Sequence, residues 1–148
     1  MRVLDQKKIG YESHTYENDP SLTGEQIAGI LGEDPARVFK TLVTRGKTGA
    51  YYVFVVPVMA ELDLKKAAKA AGEKAIEMIR QKELLPLTGY VHGGCSPIGM
   101  KKQFATFIHE SAPSYETICV SAGKVGFQIE LAPADLITAA GCKVADVV

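Results

Sequence analysis

The sequence predicts a single mixed α/β domain in which strands and helices follow one another without strict alternation. Its 148 residues suit one domain, which at that length buries about 68–70% of the surface of its unfolded chain. Apolar residues make up 47% and charged residues 23%, the mix of a folded globular protein, which excludes global disorder. The hydrophobic period switches repeatedly between helix and strand, in an order that excludes a doubly wound parallel sheet.

In chain order, Thr23-Gly24-Glu25-Gln26 has capping-box spacing, Ile27, Ile30 and Leu31 follow at helical intervals, and Gly32 closes the segment. Asp34-Pro35 reads as a cap and first-turn proline for a short helical turn before Phe39. The runs Phe39–Arg45 and Ala50–Val56 are rich in β-branched and aromatic residues, and Gly46-Lys47-Thr48-Gly49 between them predicts a hairpin loop. Asp63 caps a helix from Leu64 to Ala71, which Gly72 ends. A short strand at Ala75–Ile79 and a helical turn at Gln81–Leu84 precede a turn-rich stretch, Thr88 to Lys102. Strands are predicted near Phe104–His109 and Tyr115–Val120, and Phe127–Leu131 alternates as another. Pro133 opens a last helix through Ala140 to Gly141, before a short terminal strand.

Seventeen basic and seventeen acidic side chains give a net charge of zero, but they are segregated. Residues 36–102 carry an excess of seven positive charges, and the two ends together carry the matching negative excess. Such blocks create a basic face if the fold keeps them together, and cancel if it interleaves them. Cys95, Cys119 and Cys142 form no C-x-x-C pair and are odd in number, so neither a disulfide framework nor a zinc site of usual spacing is predicted, and no metal or cofactor is expected. The first eight residues lack a signal-peptide core, and the longest apolar run, Ala50 to Ala60, is too short for a membrane-spanning helix. A cytoplasmic protein without membrane contact is the expectation.

Gly93-Gly94-Cys95-Ser96-Pro97-Ile98-Gly99 is the densest cluster of glycines. It lets backbone N–H groups approach an anion or a carbonyl oxygen, or it is simply a structural turn. It matches neither a P-loop nor a nucleophile elbow. Ser96 and Cys95 are nucleophiles on paper, yet only His14, His92 and His109 exist as bases, and no acid lies near His92 to orient it. Lys40 stands in a predicted strand. If Phe39, Thr41 and Val43 face the core, Lys40 is a solvated lysine; if Lys40, Leu42 and Thr44 face a cleft, its ammonium can bind a phosphate or a carbonyl oxygen. Lys65, Lys66, Lys69, Lys101 and Lys102 suit either phosphate contacts or an ordinary surface.

Several ordered blocks resemble the YbaK/ProX family, specifically its free-standing bacterial Cys-tRNA(Pro) deacylases, which are related to the editing domain of bacterial prolyl-tRNA synthetases. They are His14-Thr15-Tyr16-Glu17-Asn18-Asp19-Pro20, Asp34 to Leu42, Leu64 to Lys69, Thr88-Gly89-Tyr90, Gly93 to Gly99 with Lys101-Lys102, Val120 to Lys124, and Ile129 to Leu136. The family often reads Ser-Gly-Gly-Lys-Arg-Gly where this chain has Ser121-Ala122-Gly123-Lys124-Val125-Gly126.

The resemblance implies one editing domain over residues 1–148, with a curved, barrel-like mixed sheet flanked by helices and a substrate cleft beside it. It implies catalytic roles for Lys40, Gly93 and Gly94, and substrate contacts from Tyr16, Thr41, Ser96 and Ser121. The implied activity removes cysteine from mischarged Cys-tRNA(Pro), the substrate's own thiol attacking its ester, with aminoacylated tRNA and prolyl-tRNA synthetase as partners. Rival readings are a deacylase for alanine or another small amino acid, and a non-catalytic module that holds aminoacyl-tRNA or a synthetase.

Overall fold

β-branched and aromatic residues in two consecutive runs make the central hairpin, β2 (Phe39–Gly46) and β3 (Tyr51–Pro57), paired from Phe39↔Pro57 to Arg45↔Tyr51. The computed structural model describes residues 2–17, 19 and 21–148; Asn18 and Pro20 of the His14–Pro20 block lie outside them. β4 (Ile76–Met78) adds antiparallel to β2, and β5 (Ala105–His109) adds parallel to β3. β8 (Cys142–Ala145) adds parallel to β5, completing a five-stranded sheet in the order β4-β2-β3-β5-β8. A second sheet holds β1 (Glu12–Thr15), β7 (Phe127–Leu131) and β6 (Ile118–Ser121), antiparallel throughout.

The two sheets meet through one parallel bridge, Val38↔Cys119. The expected mixed α/β architecture is present, but the strands do not close into a barrel. The barrel-like description is corrected on that ground: past the bridge β2 and β6 diverge, and no ladder joins them.

The helices follow their predicted signals. α2 (Gly24–Leu31) is entered by a full capping box, with the Thr23 hydroxyl accepting from the Gln26 N–H at 3.1 Å and the Gln26 side chain accepting from the Thr23 N–H at 2.9 Å. Such a cap contributes about 1 kcal/mol. Asp34 caps the 3₁₀ turn Pro35–Arg37, and Asp63 caps α3 (Leu64–Ala71) through the N–H groups of Lys65 and Lys66. α4 (Gln81–Thr88) runs a full turn further than predicted, through Pro86. α5 (Pro133–Ala140) opens on its proline as expected, and a short helix, α1 (Arg2–Gln6), precedes β1.

The main core lies between the sheets, where Leu4, Phe39, Val55, Ile98, Ile108, Val120, Ile129 and Leu136 pack together. A second cluster seats α3 on the outer face of the larger sheet, with Phe54 stacked on Phe107 at a centroid distance of 5.3 Å. The buried Ile98 ties the glycine-rich loop into the first cluster.

Candidate functional site

β2 is the strand that positions Lys40, and both of its faces are covered. Phe39 and Val43 are only 2% and 3% exposed on one side. On the other, Leu42 packs against the Phe54 and Val56 cluster, and the fully buried Thr44 donates to the Tyr52 carbonyl at 3.0 Å. Lys40 is half-buried opposite Val56, so it is not an ordinary solvated strand lysine.

The bridge between the sheets sets its neighbours. Two residues beyond Val38↔Cys119 come Lys40 on β2 and Ser121 on β6, on the same face as the bridging pair because strand side chains alternate. β2 and β6 remain in contact there. Ser121 pairs with Gln128, and Gln128 with His14. Lys40, Ser121, Gln128 and His14 thus form a polar row across one face, starting where the sheets split apart. Thr41 does not join it; it shares the face of Phe39 and Val43, and its hydroxyl is buried without a hydrogen-bond partner.

Tyr16 and the glycine loop close the row's far side. The Tyr16 N–H donates to the Gly126 carbonyl at 2.9 Å, which carries the β1–β7 ladder one step further. Gly94 lies against the backbone of Lys124 and Val125, so tightly that a methyl group there would stand 3.0 Å from the Val125 nitrogen. Tyr90 rests on Gly123 and donates to the Ile98 carbonyl, tying the glycine loop to the β6–β7 loop. Gly93 takes a φ of +85°, open to glycine without strain, and the Gly94 N–H is engaged with the Val91 carbonyl at 3.0 Å. The Ser121 hydroxyl accepts from the Gly123 N–H at 3.3 Å. Ala122, where the family often has glycine, has no positive φ and continues the ladder by donating to Phe127 at 3.1 Å, so alanine fits without strain.

The paper nucleophiles are turned inward. Ser96 is fully buried, and its hydroxyl accepts from the Ile98 N–H at 3.2 Å. Cys95 is buried beside Val43 and Val53, and burial pushes its thiol up to about 12. Burial raises Cys142 to about 12 as well, and raises Cys119 further, with Glu33 adding to the shift. A thiol so placed stays protonated at neutral pH and cannot attack an ester.

Charge is only partly segregated in space. Arg37 reaches Glu130 at 3.5 Å and Lys66 reaches Asp146 at 3.1 Å, so acids of the chain ends neutralise bases of the middle. Arg45 pairs with Glu77 at 2.9 Å. Lys101, Lys102 and Lys124 are exposed on the segments that flank the glycine loop. Two hollows beside β4, lined by residues such as Arg45, Glu77 and Arg80, contain none of the predicted site residues.

Gln128 and His14 were missed as members of the row. The signal for Gln128 was present, since the alternation of Phe127–Leu131 puts it on one face with Glu130. His14 had none, because the strand Glu-Ser-His-Thr shows no apolar pattern. Among the described residues, no helix is long and apolar enough to cross a membrane.

The family model for the aminoacyl-tRNA editing domain matches residues 19–139. An Enterococcus faecalis protein with the provisional name Cys-tRNA(Pro)/Cys-tRNA(Cys) deacylase EbsC is 49% identical over 139 residues, covering 93% of this chain and 85% of that protein. The proline–tRNA ligase of Thermosipho melanesiensis is 30% identical over 78 residues, 53% of this chain and 14% of the ligase. A crystal structure described provisionally as a trans-editing enzyme for prolyl tRNA synthetase superposes with a TM-score of 0.87 at 24% identity, covering 99% of this chain and 92% of its own. That last likeness bears on the fold alone.

Proposed function

The chain belongs to the family of aminoacyl-tRNA editing domains, and on that premise we propose that it acts in trans to remove cysteine wrongly esterified to tRNA(Pro). As an editing enzyme it is an aminoacyl-tRNA deacylase. The near-full-length likeness to the Enterococcus faecalis protein supports the cysteinyl substrate, and the partial likeness to a proline–tRNA ligase supports prolyl-tRNA synthetase as its working partner.

The observation that carries the mechanism is that the candidate protein nucleophiles are buried: Ser96 holds its own loop, and the Cys95 thiol is raised to about 12. The nucleophile then comes from the substrate. The cysteinyl sulfur attacks the carbonyl carbon of its own ester, a C–S bond forms, and the C–O bond to the terminal ribose breaks. The thiol proton passes to the ribose oxygen, releasing intact tRNA and a cyclic thiolactone that water opens to cysteine. The protein's contribution is to hold the sulfur near its target and to stabilise charge on the carbonyl oxygen.

Lys40 holds the phosphate of the terminal adenosine or the polar groups of the aminoacyl end. The Gly93 amide is the loop donor assigned to the ester oxygen, and Gly94 brings the loop close enough by lacking a side chain. Tyr16 and Ser121 shape the pocket. Thr41 and Ser96 support it from behind, as their burial suggests.

The test is deacylation of purified Cys-tRNA(Pro), with Ala-tRNA(Pro) and Ser-tRNA(Pro) alongside, with and without the synthetase. The wild type should clear the cysteinyl ester and spare the two that lack a thiol. Lys40→Ala should lose about 100-fold, the scale of one oriented charge donor. Cleavage of alanyl and cysteinyl esters at equal rates would refute self-attack by the thiol, and binding without cleavage of any of the three would refute the deacylase reading.

A further inference from the structure

On the same sheet face as the polar row, one register step beyond the bridge, lies a second group of polar side chains that the deacylation chemistry does not use. Glu130 on β7 faces Cys119 on β6 and Glu12 on β1. Glu33, which follows the C-cap of α2, and Arg37, from the 3₁₀ turn, reach it from above. The Cys119 thiol donates to Glu33 Oε2 at 3.4 Å. His14 Nε2 lies 3.0 Å from Glu130 Oε1 and 3.9 Å from Glu33 Oε2, while the Thr117 hydroxyl donates to Glu130 Oε2.

The group is incomplete. The Glu33 side chain is only 8% exposed, yet its Oε1 has no hydrogen-bond partner. Buried carboxylate oxygens are almost always satisfied, and an orphan calls for a missing ligand. Two carboxylates also face one fixed cation, Arg37, whose guanidinium is 3.5 Å from Glu130.

Spacing and chemistry fit a cation. Donor atoms of Glu33, Cys119 and Glu130 all lie within 4.8 Å of one another, and His14 stands at the distances given above. A tetrahedral ion with bonds of about 2.0–2.3 Å holds its donors about 3.3–3.8 Å apart. One imidazole, one thiol and two carboxylates suit zinc better than magnesium or calcium, which take oxygen alone.

We propose that His14, Glu33, Cys119 and Glu130 bind one zinc-class divalent cation, fastening the segment after α2 to the smaller sheet. Binding sends the Cys119 thiol proton to solvent, and His14 coordinates through Nε2 with its proton on Nδ1. Two carboxylates and one thiolate then balance the ion and Arg37, so the buried group becomes neutral. His14 is 29% exposed and gives the ion its way in. Sequence spacing could not show this site, since His14 and Glu130 are 116 positions apart.

The test uses full-length protein stripped with a chelator, titrated with zinc chloride by calorimetry and with cobalt chloride by absorption. One zinc should bind per chain, with a thermal midpoint that rises with zinc concentration, and cobalt should show thiolate charge-transfer absorption. Cys119→Ser should abolish that absorption. His14→Gln, at a partly exposed edge-strand position where folding is not at stake, should weaken zinc at least tenfold while its metal-free midpoint stays within about 2 °C. Cys95→Ser should bind as the parent does. A cobalt spectrum without a thiolate band, parental affinity in His14→Gln, or loss of binding in Cys95→Ser would overturn the proposal, whatever the outcome with tRNA.

Discussion

Replacing Gly94 with alanine probes the join between the glycine loop and the β6–β7 loop with a single methyl group. Gly94 has no positive φ, so alanine there carries no backbone strain of its own. The added carbon would lie 3.0 Å from the Val125 nitrogen, 3.2 Å from the Lys124 carbonyl carbon and 3.3 Å from the Lys124 Cα. Those are backbone atoms, and the shortest contact is about 0.5 Å inside the usual optimum of about 3.5 Å. One loop must move by a few tenths of an ångström. Overpacking of this kind costs about 1–3 kcal/mol, which for a chain of this length lowers the thermal midpoint by about 3–10 °C. Activity should fall further than stability requires, because small displacements of positioned groups cost up to about 100-fold in rate. Deacylation of Cys-tRNA(Pro) at a temperature where both proteins are folded, together with calorimetric melting, measures the two effects separately. A variant with parental midpoint and parental rate would refute the claim that this close approach shapes the site.

Other expectations follow from single contacts. Gly29, exposed within α2 with nothing within 4 Å of its missing Cβ, should accept alanine with a gain of about 0.5–1 kcal/mol in urea unfolding; a loss would contradict the open surface described there. The thiols of Cys95 and Cys142, raised by burial to about 12, are protonated more firmly folded than unfolded. Their contribution is therefore complete below about pH 8.5 and is lost as pH climbs toward 12, so unfolding midpoints should decline across that window. In the folded protein none of the three thiols should react quickly with maleimide at pH 7.5, and Cys95→Ser should deacylate within a few-fold of the parent. At the acid end, Glu130 is held below the usual carboxylate range chiefly by the Thr117 hydroxyl, with His14 and Arg37 assisting. That stability is present above about pH 4.5 and disappears as pH falls through the lowered value, and Thr117→Val should flatten the acid decline in urea midpoints.

Where local chemistry decides, the sequence could be read directly. The Thr23/Gln26 box, the Asp34 and Asp63 caps and the closing glycines of α2, α3 and α5 are all local devices, and each bounds its element as predicted. α4 was read too short because a proline argues for a stop. Pro86 instead leaves only one carbonyl, that of exposed Lys82, without its helical donor, and the Thr88 hydroxyl, bonded to the Leu84 carbonyl at 2.8 Å, carries the helix to its end. β1 was invisible because its four polar residues owe their strand to β7, more than a hundred positions away. The same limit applied to the candidate site. Alternation named the two faces of β2 but could not say that both would be covered, nor that the bridge at Val38 would bring Lys40 abreast of Ser121.

That bridge has a consequence for size selection. Two strands joined at one point and diverging from it form a taper, and a group entering between them stops at a depth set by its width. The limiting dimension lies in the main chain at Val38 and Cys119, which trimming a side chain does not move. Discrimination between amino acids that differ by a single atom would then rest on a backbone gauge, with Lys40 and Ser121 marking its narrow end.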